Sequence, residues 1–350
     1  MRRRRSRRAF ASSRTESRAV PSTAIIDPGL PTLPEVFDPA TIGEQLGCVL
    51  PADWGSVQDV QLRIVKHHPG SRCTFEIAVR TARGERSLIG KVYASDRSDV
   101  YRAMEAIRRS GFGPQHAFSI PEPLAYVPEL QLLLQEKVEG PRAKLIFLTA
   151  DEAGRAEASA RAARWLARFH AIAPRSGRVE DRGERRDAVE RWSQRIGKMG
   201  ESVASRARPL GRRLAGIAAS MRAGDLCAGH GSYDCHQIIL ADGRTVTFDW
   251  DSHDVADPCR DVARFVVALQ RIALKYAGAI GALDGAVEVF LSTYETLSPF
   301  DVSANLAWYR ALTCLQLAKY EINRPVCTFP EGIEALVGEG WRVLEEGRHA

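Results

Sequence analysis

The sequence predicts an α+β chain of two lobes, the first rich in strands and the second mostly helical. Three observations carry this. Between residues 57 and 135 apolar residues alternate in short runs, the period of half-buried strands. From about residue 151 they recur at helical spacing in longer segments. Inside that helical half stands one hairpin signal, Asp242-Gly243, flanked by Ile238 to Leu240 and Thr245 to Phe248. At 350 residues, with 45% hydrophobic and 26% charged residues, the chain has the length and composition for two lobes with cores of their own.

Composition also excludes. No run of about 18 apolar residues is present, so no transmembrane helix and no membrane partner are expected. The seven cysteines are odd in number, scattered, and contain no C-x-x-C pair. They argue for a reducing, cytoplasmic setting and against a disulfide framework or structural zinc. The net charge of +6 belongs to a tail: residues 1–18 hold eight arginines and one acid, which leaves −1 on the rest. A nucleic-acid partner is therefore not implied. Ser6-Arg7-Arg8-Ala9-Phe10 has the look of a twin-arginine signal, but no apolar stretch of about 7–15 residues follows it. Residues 1–33 read as a disordered Arg-rich tail, residues 34–138 as the first lobe and 139–350 as the second.

Val57 to Val65 and Cys73 to Thr81 read as antiparallel strands joined by the turn Lys66-His67-His68-Pro69-Gly70-Ser71-Arg72. Ser87 to Tyr93 reads as a third strand with one lysine, Lys91, among apolar residues. Such a lysine either snorkels from an edge or is held for a charge partner. Asp99 to Ser110 shows helical spacing at Val100, Met104 and Ile107, with Glu105 beside them. Two further strands, Pro121 to Val127 and Leu130 to Gln135, run into Glu136-Lys137-Val138-Glu139-Gly140. Thr149-Ala150-Asp151-Glu152 reads as a capping box that opens a helix ending near His170. Asp187 to Ala223 predicts two helices linked near Pro209. Four more follow, over 257–276, 283–296, 302–323 and 331–346.

The densest chemistry lies between Leu226 and Phe265. His230, Ser232, Asp234, His236 and Gln237 precede the predicted hairpin, and Asp249 and Asp251 follow it, so the hairpin brings two polar clusters to one end. Cys227, His230, Cys235 and His236 are close enough in sequence for a metal site, a reading that the following pattern displaces. This block resembles the aminoglycoside-phosphotransferase and choline-kinase group, relatives of the protein kinases. That family reads H-G-D-x-x-x-x-N, a hairpin, D-[WF]-[DE], then D-P-x-x-D-[LV]-A. Here the same spacing gives His230-Gly231-Ser232, Gln237, Asp249-Trp250-Asp251, Asp257-Pro258 and Asp261-Val262-Ala263. The resemblance spans roughly residues 45–325.

The resemblance implies a protein-kinase-like fold that binds ATP and Mg²⁺. It implies that Gly70, Ser71 and Arg72 lie in the turn covering the nucleotide phosphates and that Lys91 holds the α/β-phosphates, paired with Glu105. It implies that Gln135, Glu136, Lys137 and Val138 form the hinge whose backbone pairs with adenine. Asp249 matches the metal-ligating aspartate, with Gln237 and Asp251 as further ligands, as suits a hard cation. His170 reads as a buried histidine holding the catalytic loop, and Asp261 as an anchor for that loop's backbone.

Two identities depart from the family. Its catalytic aspartate is Ser232 here, and its metal-binding asparagine is Gln237. A glutamine still offers an amide oxygen. A serine hydroxyl is a poor proton acceptor near neutral pH. Three readings follow: an active phosphotransferase in which Asp234 or His236 takes over beside His230 and Ser232 or in which the loose transition state needs little base help, a pseudokinase that senses nucleotide without turnover, or transfer of a different part of the nucleotide. The first leads, with a small-molecule hydroxyl as acceptor, of aminoglycoside, amino-alcohol or sugar-like type. Residues 281–350 hold ten acids against five bases, which would suit a cationic acceptor and equally the solvated faces of helices.

Overall fold

A computed structural model of the chain describes residues 26–221, 224–322 and 329–347. The expectations for the Arg-rich stretch 1–25 and for the end of the helix at Asn323 lie outside the described residues.

The chain divides into two compact units, residues 1–95 with 127–132, and residues 96–126 with 133–350. The first contains α1 (Leu33–Val36), α2 (Pro39–Val49), β1 (Val57–His68), β2 (Arg72–Thr81) and β3 (Gly84–Tyr93). The three strands form an antiparallel meander in which Ile64 pairs with Phe75 and Thr74 with Lys91. β2 alternates along its length, with Cys73, Phe75, Ile77 and Val79 buried, as period-2 patterning requires when one face is covered. Leu30, Leu33, Val36, Ile42 and Leu46 are buried, and Phe37 meets Phe75 at 5.2 Å between ring centroids.

The second unit begins with α3 (Ser98–Ile107), which buries Val100, Ala103, Met104 and Ile107. Then come β4 (Phe118–Ser119), β5 (Pro123–Val127), β6 (Leu132–Glu136), α4 (Ala143–Thr149) and α5 (Glu152–Ile172). The capping box is resolved differently from expectation. Thr149 closes α4, and Asp151 is the N-cap of α5, its carboxylate accepting from Gly154 N at 2.9 Å. An aspartate in extended conformation directly before the helix is the better cap.

α6 (Arg182–Ile196) and α7 (Glu201–Ser220) follow, and here too the break is displaced. It falls at residues 197–200, where α6 runs into a 3₁₀ turn, while Pro209 sits inside α7. A proline mid-helix forfeits one backbone bond, and the buried stripe Val203, Ala204, Ala207, Leu210, Leu214 holds α7 together across it. β7 (Cys227–Gly229), β8 (Ile238–Ala241), β9 (Arg244–Thr247) and β10 (Asp254–Ala256) complete the strands. β8 and β9 are the expected hairpin, with Ile238 opposite Thr247, and β4 adds to β9 in parallel. β7 and β10 pair separately. α8 (Cys259–Ala277), α9 (Asp284–Leu297), α10 (Ser303–Ile322) and α11 (Pro330–Glu346) end the chain. Among the described residues, no helix is long and apolar enough to cross a membrane.

Candidate active site

An aromatic cluster makes a rigid floor in the second unit. Trp165 and Phe169 of α5, Tyr233, Trp250 and Phe265 are all fully buried. Trp165 stacks on Tyr233 at 5.6 Å, and the Tyr233 hydroxyl donates to Ala162 O at 2.8 Å. Tyr233 is thus the root of the loop 230–237, and its neighbour Ser232 is left half-buried at the loop's surface. Gly231 adopts φ +81, and a Cβ there would lie 2.0 Å from Ser252 O. Only glycine fits this close approach.

Asp261, in the first turn of α8, fixes the loop's backbone. Its Oδ2 accepts from His230 N at 2.6 Å and its Oδ1 from Gly231 N at 3.0 Å. His170 Nε2 stands 3.6 Å away, and His170 Nδ1 is 2.7 Å from the Tyr294 hydroxyl. Burial alone would raise the Asp261 pKa, but Arg260 beside it, with His170, holds it far below the usual carboxylate range. Arg260 also clasps Asp254 of β10, so the strand that follows Asp249 is tied to the same helix.

At the loop's centre Ser232 Oγ accepts from Gln237 Nε2 at 3.1 Å and lies 3.4 Å from His230 Nδ1. His230 Nε2 is 3.1 Å from Phe248 O, a carbonyl that can only accept. That contact puts the imidazole proton on Nε2 and leaves Nδ1 as the lone pair facing Ser232. Burial pushes the His230 pKa below its ordinary value, against the pull of Asp261 and Asp249. The ring is therefore neutral at neutral pH.

The hairpin sets Gln237 opposite Phe248, whose N–H donates to Gln237 O at 3.0 Å, so Asp249 is the next residue along. Asp249 is held at φ +74, ψ +63, one of two left-handed non-glycine residues among those described. Such a conformation costs energy and clusters at functional positions. Gln237 gives its amide N–H to Ser232, and its buried Oε1 has no hydrogen-bond partner. An orphaned amide oxygen on one strand of the hairpin and an aspartate one residue beyond its pairing partner on the other are donor types that fit a hard divalent cation. Asp251 lies in the short turn that follows, its backbone carbonyl accepting from Arg97 at 2.8 Å.

Asp234 does not stand as an available base. Its Oδ1 accepts from His236 N at 2.8 Å and faces His236 Nδ1 at 3.1 Å, and its Oδ2 pairs with Arg264 at 3.2 Å. Burial alone would raise its pKa, but the His236 hydrogen bond and the Arg264 guanidinium bring it down to about 2. A carboxylate that holds a proton only in strong acid is a weak acceptor near pH 7. Its place is structural, and pH exposes it. The folded pKa lies below the ordinary 3.8, so the stabilisation is complete above that value and disappears as pH falls through about 2. It amounts to about 2 kcal/mol. Urea unfolding at pH 4.5 and pH 2.5 should show an acid loss that Asp234→Asn reduces by about that amount; an undiminished loss would reject the role. The cluster Asp234, Cys235, His236 could geometrically hold a metal, but Arg264 already neutralises the carboxylate and burial keeps the Cys235 thiol protonated.

The remaining expected residues fall as follows. Lys91 is buried on β3, 6% exposed. The Glu105 carboxylate is engaged by two arginines of its own helical run, Arg108 at 3.0 Å and Arg109 at 2.6 Å. Gly70 and Ser71 close the β1–β2 turn with both N–H groups bonded within the first unit, to Asp27 and to His68 O. Arg72 opens β2. Gln135 is buried at the end of β6, Glu136 is locked by Arg244 at 3.0 Å, and Lys137 pairs with Glu139 ahead of Val138. Of the ten acids in residues 281–350, Glu321 and Glu339 are buried, paired with Arg271 and with Arg310 and Arg342, while the other eight lie at the surface. Sequence reasoning missed Arg264 and Asp27. Arg264 is 30 residues from its partner, and Asp27 lies in a stretch that reads as tail.

The fold is shared with solved small-molecule kinases. A choline/ethanolamine kinase family protein from Mesorhizobium loti superposes with a TM-score of 0.54 at 13% identity, over 87% of this chain and 95% of that one. A glucosamine kinase solved with glucosamine, ADP and inorganic phosphate gives 0.59 at 14% identity, over 83% and 84%. A macrolide 2'-phosphotransferase from Brachybacterium faecium gives 0.52 at 15% identity, over 85% and 97%. No curated protein matches the sequence. The model of the phosphotransferase enzyme family matches residues 75–300, from within β2 through the loop 230–237, Asp249 and α8, and the chain belongs to that family.

Proposed function

We propose that the protein transfers the γ-phosphoryl group of ATP to a hydroxyl of a small molecule of aminoglycoside, amino-alcohol or sugar-like type. The observation that carries this is the Gln237 amide. Its N–H is committed to Ser232, and its buried oxygen is left unbonded one residue from the partner of Asp249 in the hairpin. Asp249 and Gln237 would hold Mg²⁺, with Asp251 following in the same turn, and the ion would supply charge neutralisation to the phosphate oxygens. Lys91 supplies a second cation to the phosphates.

Ser232 and His230 replace the missing carboxylate. The acceptor hydroxyl gives its proton to Ser232 Oγ as that oxygen passes its own to His230 Nδ1, the new O–P bond forms, and ADP leaves with the electron pair of the broken bond. The imidazolium then returns its proton through the half-buried Ser232 hydroxyl, which passes one to solvent. Because burial lowers the His230 pKa from 6.5, the base form prevails above the lowered value, so kcat should fall only on an acid limb lying below pH 6.5.

The test measures acceptor-dependent ADP release across a panel of amino-alcohols and sugars, with Ser232→Ala and Ser232→Asp. Ser232→Ala should lower kcat about 10²-fold while leaving ATP binding intact, and Ser232→Asp should exceed wild type, because a positioned base contributes about 10²–10⁴-fold. Mg·ATP binding by wild type with no ADP release from any acceptor would instead favour a nucleotide-sensing protein without turnover.

A further inference from the structure

We propose that Asp27 is a positioning residue for the β1–β2 hairpin tip, fixing it before nucleotide arrives. The inference rests on the reading that this tip covers the nucleotide phosphates.

The tip is a turn over His68-Pro69-Gly70-Ser71, closed by Ser71 N donating to His68 O at 3.0 Å, with Gly70 at φ +69. Proline at the second place and a left-handed glycine at the third make it a type II turn. Pro69, Gly70 and Ser71 are exposed at the end of two strands of 12 and 10 residues. A hairpin end of that length is the part that otherwise moves most.

Asp27 removes that freedom. It is only 8% exposed, and its carboxylate gathers three donors from two segments. Oδ2 accepts from Gly70 N at 2.9 Å and meets His67 Nε2 at 2.8 Å, and Oδ1 accepts from Gly29 N at 2.9 Å. The Gly70 bond leads the interactions that hold its pKa below the usual carboxylate range, so it is ionised wherever the protein is folded near neutral pH. A second contact acts independently: a Cβ on Gly29 would lie 2.4 Å from Gly70 Cα, so the two backbones touch directly. The anchor is itself fixed, since Leu30 and Leu33, just beyond it, are fully buried. A tip ordered in advance does not have to be ordered by the ligand, and that saving appears as nucleotide affinity.

The experiment is calorimetric titration of the full chain with Mg·ATP, comparing wild type with Asp27→Asn, Asp27→Ala and Gly29→Ala. Amide exchange of residues 67–71 is followed in parallel. Asp27→Ala and Gly29→Ala should each weaken Mg·ATP about 5–10-fold and accelerate exchange at the tip, with Asp27→Asn between them and wild type. Gly29→Ala keeps the carboxylate, so it remains informative should Asp27→Ala fail to fold. A merely structural role would lower the unfolding midpoint and leave the Kd unchanged, which overturns the proposal. Tighter binding in Asp27→Ala overturns it too, by making the carboxylate a competitor of the phosphates. Failure of wild type itself to bind Mg·ATP would overturn the nucleotide reading and this inference together, whereas binding by wild type with unchanged variants overturns the role of Asp27 alone.

Discussion

Asp249→Asn should abolish Mg²⁺-dependent stabilisation by ATP and lower turnover about 10³-fold, the scale of removing one strong electrostatic contact to a reacting phosphoryl group. The substitution is chosen for its backbone. Asp249 sits in the left-handed region, which asparagine adopts at least as readily as aspartate and which a β-branched residue resists. The variant therefore removes a charge without adding strain. On the proposed reading it removes the one charged oxygen of the Asp249–Gln237 pair, and Mg²⁺, which dehydrates reluctantly, needs such an oxygen. At a ligand concentration of about 100 Kd, wild type should gain about 2.7 kcal/mol of stability from Mg·ATP. Reading the difference between loaded and unloaded unfolding midpoints cancels any effect of the substitution on the empty protein. A variant that kept the full Mg²⁺-dependent rise would remove Asp249 from the metal site, and with it the mechanism built on Gln237.

Much of this site was legible in the sequence because it is local. His230, Ser232, Gln237, Asp249 and Asp261 fall within 32 residues, and the hairpin joining them is fixed by period-2 patterning and the Asp242-Gly243 turn. Spacing alone therefore brought Gln237 and Asp249 to one end. What spacing could not convey was the state of each side chain. Asp234 has the right chemistry two residues from the vacancy, and nothing near it in sequence announces that Arg264, a helix away, takes its charge. Glu105 likewise looks available until the arginines of the next turn, Arg108 and Arg109, claim it. Helix ends were the other weak point. Thr149 and Asp151 both satisfy a capping pattern, and only the extended backbone at Asp151 decides between them. Pro209 marks a break on propensity, yet the apolar stripe of α7 continues through it. At Asp234 and Pro209 a tertiary contact outweighed a local preference, whereas Glu105 and Asp151 were decided within one turn of chain.

The second large effect is expected at Asp261, which touches no substrate. Asp261→Asn keeps size and one acceptor oxygen, but turns an amide N–H toward a backbone N–H that needs an acceptor, at either His230 or Gly231. It also leaves the buried Arg260 with Asp254 as its remaining carboxylate. Breaking a buried charge pair by removing one partner costs about 3–5 kcal/mol. For a unit of this size that lowers the unfolding midpoint by roughly 10 °C. Linkage supplies an independent signature. The folded pKa of Asp261 is depressed, so its contribution is present above the unfolded value near 4 and is lost as pH falls through the lower folded value. Wild type should therefore lose stability steeply below pH 4, and the variant, having no proton to bind there, should lose less. Turnover should drop about 10²-fold even at temperatures where the variant stays folded, because a loop displaced by about 1 Å misplaces the Ser232 hydroxyl. A variant with the wild-type urea midpoint and the wild-type acid slope would show that the catalytic loop is held by its aromatic root at Tyr233 instead. In that case Tyr233→Leu, which removes the bond to Ala162 O and the stack on Trp165, becomes the substitution that unlocks it.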